Sequence, residues 1–433
     1  MHKGNLQAAI DELKHNDNNA VAYVYENVSF GPGILNGAIV TIKDLYATIE
    51  APTMASSEIL RDFYPSYEAT IVTKLKQAGA AIAAKTHLDE LALGGTGSYS
   101  AWGVINNPLD KLRMPGGSSS GAVAAFSSNI SLAIGSDTGN SVRLPASFCG
   151  LVGFKPSYGA ISRYGMFAFA PSLDTVGFFT HNVSDAIIAS QALFGVDVKD
   201  LTSKPVPIPV EEMAKPKTVA FLNTFKRFSQ DVEKAYDALK IKLEQDGVKV
   251  NVITIPEHLL DQIDTVYEII SYSEVSSNDA NLTAINFGKR DGGNSWEQVM
   301  IKARSHHLGK MVQRRFTLGA YYLLKENQTE IFERAQKVRR ILRDTYNLIL
   351  EKHDVLVIPT TTVAPLWTTG KVNNWTSEYS TISNLIGCPS ISIPFTKEQN
   401  MPVGLLIDSK IYTDRQLLSH ALYFEHLIGG KYE

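Results

Sequence analysis

Between Arg113 and Pro145 the chain runs R-M-P-G-G-S-S-S-G-A-V-A-A-F-S-S-N-I-S-L-A-I-G-S-D-T-G-N-S-V-R-L-P, two serine and glycine loops separated by small residues and a short apolar run. Glycine permits backbone conformations and close approaches that other residues resist, so such loops can aim several N–H groups at one point. The pattern predicts a tightly packed helix over Ala122 to Ser128 and a strand over Ile130 to Ile134. That strand would deliver Ser136 to Ser141 at its carboxyl end, where sites in open α/β sheets form. Two such loops meeting at one sheet edge would suit a developing oxyanion. The alternative is an ordinary glycine-rich turn between buried elements.

Elsewhere the chain alternates helix and strand signals. Leu6 to Lys14 reads as a short amphipathic helix and Ala20 to Tyr25 as a strand. Ile34 to Asp44 is an apolar strand that runs directly into Lys43, which is either a solvated strand end or a partly buried lysine kept neutral as a base. Apolar residues at helical spacing from Tyr67 to Gln77, stopped by Gly79, precede a strand over Ala80 to Ala84. Phe148 to Thr180 is rich in Gly, Pro and aromatics and reads as ordered loops, and Lys204 to Pro209 as a connector. Thr218 to Leu222, Val232 to Gln245 and Val248 to Ile253 form a βαβ-like unit. His258 to His353 is mostly helical, most clearly at Ile331 to Leu350. Val355 to Pro359 and Ile391 to Pro394 are buried-strand candidates, and Arg415 to Leu427 is a closing helix.

Composition narrows the function. With 433 residues, 44% hydrophobic and 20% charged, the chain reads as a soluble globular protein, and a net charge of −3 gives no general pull toward nucleic acid or anionic membrane. Cys149 and Cys388 lack metal-ligand spacing and suggest no disulfide framework, which fits a reducing compartment. The N-terminus becomes charged too early for a signal peptide, and no long apolar span follows, so a cytoplasmic or organellar-matrix protein without membrane contact is expected.

Motifs narrow it further. There is neither a G-x-x-x-x-G-K-[ST] nor an H-E-x-x-H pattern, so phosphate cradling by a P-loop and zincin chemistry are unsupported. His87, Asp89 and Glu90 invite a metal reading, but their spacing matches no ligand motif and structural roles are expected. Gly117 to Gly121 matches the G-x-S-x-G nucleophile elbow, which would expose Ser119, yet Leu112 to Pro115 is a poor strand before it.

Ile42-Lys43-Asp44, Pro115 to Gly121 and Gly135 to Ala146 together resemble the amidase signature family. Within it, Leu88 to Gly94, Tyr164-Gly165, Ser172-Leu173-Asp174, Asn384 to Pro389 and Pro402 to Leu405 are similar to the glutaminase (A) subunits of glutamyl-tRNA(Gln)/aspartyl-tRNA(Asn) amidotransferases. The resemblance spans nearly the whole chain and is weakest between Ser184 and Met300. It implies an α/β fold, a mixed twisted central sheet covered by helices on both faces, in a single domain over 1–433. Within that domain, 1–204 would hold the lysine-serine site, 205–353 a βα and helical part, and 354–433 strands and a helix returning to the core.

The resemblance also implies a Ser-Ser-Lys triad: Ser141 as nucleophile, Ser118 as proton relay after a cis Gly117–Ser118 bond, and Lys43 as base. Lowering a lysine from about 10.4 to about 7–8 takes on the order of 4 kcal/mol, which desolvation can supply. The backbone N–H groups of Thr138, Gly139, Asn140 and Ser141 would hold the oxyanion. Glutamine is the implied small-molecule substrate, and its ammonia would serve the partner B and C subunits of the amidotransferase. ATP and Mg belong to the partner, the B subunit carries most tRNA contacts, and this chain itself needs no cofactor or metal. A stand-alone amidase for another small amide and an inactive scaffold remain alternatives.

Three features depart from the family pattern. Asn140 stands where a second glycine is usual, and Asn is tolerant of left-handed backbone. The acidic residue that should receive the substrate ammonium aligns to Ser377, with Glu378 adjacent. The helical region before Lys43 is also shorter than is typical for the family. In contrast, Arg314-Arg315-Phe316-Thr317-Leu318-Gly319 matches the family's R-R-x-x-L-G, which makes Arg315 the expected fork for the substrate carboxylate.

Overall fold

Apolar runs with no polar face are stable only where both faces are covered, and here they pair into one sheet whose inner strands are buried and whose edge strands, Val21–Val24 and Lys249–Ile253, are not. The computed structural model describes the backbone of residues 1–369 and 374–429 and the side chains of 1–368 and 379–429. Among these, the strands are β1 (Val21–Val24), β2 (Ile39–Lys43), β3 (Ala81–Thr86), β4 (Leu132–Asp137), β5 (Val152–Lys155), β6 (Thr175–Thr180), β7 (Thr218–Leu222), β8 (Lys249–Ile253), β9 (Val355–Pro359), β10 (Ser390–Glu398) and β11 (Met401–Asp408). Their order is β1-β3-β2-β4-β6-β5-β10-β11-β9-β7-β8 in an 11-stranded mixed sheet.

The register of β2 and β4 positions the site. They run parallel, with Val40 beside Leu132 and Ile42 beside Ile134. Their carboxyl ends therefore emerge together, which puts Lys43 next to the Gly135-Ser136-Asp137 terminus of β4.

Alternate side chains enter different cores. Val40, Ile42, Leu132, Ile134 and Phe178 pack with Ile71, Leu75 and Ile187 from the helices Thr70–Gln77 and Val183–Leu193. Ala133 and Phe179 face the other way, toward Ala122, Leu144, Ala146 and Phe148. Helices thus cover both faces. Burying each large side chain contributes about 1.5–3 kcal/mol.

Two local expectations are corrected. Phe148 to Thr180 is not all loop, since it supplies the central strands β5 and β6. Their glycines serve close packing: a Cβ on Gly153 would lie 2.5 Å from Ala146 Cβ, and one on Gly177 would lie 2.8 Å from the Phe154 carbonyl oxygen. The small-residue helix is Ser120–Ala124, earlier and shorter than Ala122 to Ser128. The helix Arg143–Cys149 also escaped the periodicity, because Pro145 looks like a breaker. In the first helical turn proline loses no intrahelical bond, and Gly150, at φ 72°, ends the helix.

Candidate active site

Lys43 is completely buried and donates to three serine hydroxyls, Ser118 Oγ at 2.8 Å, Ser136 Oγ at 2.9 Å and Ser119 Oγ at 3.0 Å. Desolvation brings it down to about 7, against the opposing pull of Asp89, Asp137 and Asp174. The other buried lysines differ in their partners. Lys85 pairs with Asp44 at 2.9 Å and with the Pro52 carbonyl, and Lys155 donates to the Pro156 and Cys388 carbonyls. Carbonyls and carboxylates only accept, whereas a hydroxyl can also donate to the lone pair of a neutral amine. Lys85 also reaches the Thr48 and Thr53 hydroxyls, but its Asp44 carboxylate favours the charged amine. Of these three lysines it is Lys43 whose partners among the described residues are hydroxyls without a carboxylate or carbonyl.

Ser118 follows a cis Gly117–Ser118 bond and is 1% exposed. Its carbonyl accepts from Asp89 N–H at 3.2 Å. The Asp89 carboxylate in turn gathers the N–H groups of Thr96, Gly97 and Tyr99. Glu90 accepts from Ser57 and from Gly309 N–H, while His87 contacts Ser56, so these side chains brace loops. Among the described residues no group of three or more His, Cys, Asp or Glu forms a candidate metal site. Ser119, the elbow serine, follows no strand and contacts Lys43 and the Ser136 backbone.

Ser141 lies between β4 and the helix Arg143–Cys149 and lines a cavity of about 230 Å³. Gly139, Asn140, Asp264, Tyr267, Glu268 and Arg315 share that wall. The loop is held from behind. Asp137 and Arg143, both fully buried, pair at 2.9 Å, and Val142 N–H donates to Asp137. Arg143 also donates to the carbonyls of Gly139 and Ser380, to Ser390 Oγ and to Asn384 Oδ1. Thr138 Oγ1 donates to Asp174 at 2.6 Å. Among the described residues, the Gly139, Asn140 and Ser141 N–H groups donate to no backbone carbonyl.

Asn140 keeps a negative φ, so tolerance of left-handed backbone is not what admits it. Gly139 is the tighter position, since a Cβ there would lie 3.0 Å from Tyr267 Cζ and the ring would have to give way. Asn140→Gly is accordingly expected to change amide hydrolysis by less than about threefold, the scale of a surface substitution that breaks no contact. Parallel rate measurements check this, and activity created only in the glycine variant would contradict it.

Arg315 stands on the helix Lys310–Leu323 with its Cζ 5.0 Å from the Tyr272 ring and 5.9 Å from that of Phe169. Gly319, one turn later, explains the R-R-x-x-L-G spacing. A Cβ there would lie 1.8 Å from the Tyr272 carbonyl oxygen, so only glycine lets this helix rest on the backbone of Ile263–Asn278 and bring Arg315 to the cavity. The Ser377 and Glu378 side chains lie outside the described residues. Motif reasoning missed Ser136 as a partner of Lys43 and missed Asp264, Tyr267 and Glu268. Ser136 stood within a quoted motif, whereas the other three fall where the resemblance is weakest.

The chain belongs to the amidase family, whose model matches residues 5–418. It is an enzyme of that class. It is 36% identical to the A subunit of the glutamyl-tRNA(Gln) amidotransferase of Mycoplasma genitalium, over 91% of this chain and 87% of that protein. The corresponding subunit of Legionella pneumophila is 37% identical over 90% and 83%. The crystal structure of the glutamyl-tRNA(Gln) amidotransferase A subunit from Thermotoga maritima superposes with a TM-score of 0.81 at 32% identity, covering 96% of this chain and 89% of that one. Among the described residues no helix is long and apolar enough to cross a membrane.

Proposed function

We propose that the chain is a glutamine amidohydrolase that supplies ammonia for transamidation of Glu-tRNA(Gln), Asp-tRNA(Asn) or both. The observation that carries this reading is the buried Lys43 amine, whose partners among the described residues are serine hydroxyls, together with a cavity lined by Ser141 and Arg315. The likeness to amidotransferase A subunits over nine-tenths of the chain supports the same substrate.

Arg315 receives the glutamine carboxylate, which leaves the side-chain amide at Ser141. Ser141 Oγ attacks the amide carbon, its proton passing through Ser118 to neutral Lys43. The oxyanion is held by the N–H groups around Gly139 to Ser141. Collapse breaks the C–N bond, and the proton returns through Ser118 to the departing ammonia. Water then attacks the acyl-enzyme by the same route, yielding glutamate and restoring Ser141. The B and C subunits complete the complex, and tRNA contacts, ATP and Mg²⁺ belong mainly to the former.

The test is release of ammonia and glutamate from glutamine by the chain with and without its copurified partners. Ser141→Ala is expected to lower the rate by roughly 10⁴-fold or more, the scale for loss of a nucleophile. Release unaffected by that substitution would sink the mechanism. Cleavage of aryl amides while glutamine is ignored would favour a stand-alone amidase.

A further inference from the structure

The cavity that Arg315 lines is also lined by Asp264 and Glu268 of the helix Ile263–Asn278, one turn apart, with Tyr267 between them in sequence. Asp264 stands in the first helical turn, where the helix dipole by itself favours a carboxylate. That reasoning does not reach Glu268. Like charges four residues apart cost a helix about 0.2–0.5 kcal/mol, so the helix gains nothing from the pair.

Nor do these acids neutralise Arg315. Among the described residues neither forms an ion pair with it, and Arg315 Nε is buried without an acceptor. Glu268 accepts from the Tyr272 hydroxyl at 3.3 Å. Tyr272 fixes the scale of the arrangement, because the same ring lies 5.0 Å from the Arg315 guanidinium. Glu268 and Arg315 thus flank a single tyrosine without pairing, and Asp264 lines the same cavity, which Ser141 also lines. Opposite charges left unpaired around one cavity match a ligand that carries both signs on one carbon.

Resting on the glutaminase reading, we propose that Asp264 and Glu268 form the subsite for the substrate's α-ammonium group, with Arg315 holding the carboxylate of the same carbon. They supply the acidic function whose expected position is occupied by Ser377. The pair selects a free amino acid over an amide that lacks the amine, and it orients the side-chain amide toward Ser141.

The test compares glutamine with glutaramate, which has the same amide and carboxylate but hydrogen in place of the ammonium, using the chain with its copurified partners. Wild type is expected to favour glutamine by roughly tenfold or more in kcat/KM, the worth of a charge-assisted hydrogen bond. In Asp264→Asn/Glu268→Gln the ratio falls to near one, through a higher KM for glutamine. If the double variant does not fold, Glu268→Gln alone is expected to lower the ratio at least threefold. An unchanged ratio, or equal loss on both substrates, overturns the subsite. Wild type that cleaves glutaramate but not glutamine overturns the glutaminase reading instead.

Discussion

Lys43→Met is expected to lower glutamine hydrolysis by roughly 10⁴-fold or more, the scale for removing an essential member of a catalytic unit, while leaving the fold intact. The lysine occupies a fully buried slot that an unbranched apolar side chain can fill. It lies at about 7 when folded and at 10.5 otherwise, because burial disfavours its charge. Below pH 7 both states carry the proton and the native state bears the full cost of the buried charge. Between about 7 and 10.5 the unfolded chain binds more protons, so wild-type stability rises with pH across that window. Lys43→Met should therefore melt at or above wild type at pH 6, and any advantage should shrink toward pH 10. In wild type, kcat/KM should climb through about pH 7 as the amine becomes free to accept a proton. Thermal melts at the two pH values and a pH–rate profile check all three. A variant that melts well below wild type at pH 6 would contradict the electrostatic account.

Arg143→Met is expected to cost about 3–5 kcal/mol, because it strands a buried carboxylate. Asp137 is completely buried, and the nearby Arg143 guanidinium holds its carboxyl below the usual range. Without that cation, burial raises the carboxyl instead. A raised carboxyl favours the native state only while protonated, so Arg143→Met should lose more stability at pH 8 than at pH 5. Adding Asp137→Asn should recover part of the loss, since it removes the stranded charge. Urea denaturation of the single and double variants at both pH values measures this. Activity should fall with Arg143→Met even where the protein stays folded, because the loop carrying Ser141 loses its anchors at Gly139, Ser380 and Asn384.

The legible parts of the chain were those governed by nearest neighbours. Leu6–Lys14, Thr218–Leu222 and Val355–Pro359 have the bounds that periodicity predicts. Motif order pointed to Lys43, Ser118 and Ser141, and the structure joins the first two and brings the third to the cavity. What stayed hidden depends on distant partners. Gly153 and Gly177 read as loop markers because nothing local reveals the helix residue Ala146 and the neighbouring-strand carbonyl of Phe154 that press on them. The acids at 264 and 268 look like an ordinary polar helix face until the cavity is seen. Asn140 was the opposite case, where a local rule about left-handed backbone explained a strain that the loop does not contain.

The arginine clamp also orders events in time. Arg143 is fastened to Asn384, 241 residues further along the chain, and to Ser390 beyond it. A growing polypeptide that has already exposed Lys43, Ser118 and Ser141 still lacks the side chains that aim the serine loop. The geometry of that loop is therefore completed by residues from the far end of the chain, Asn384 and Ser390.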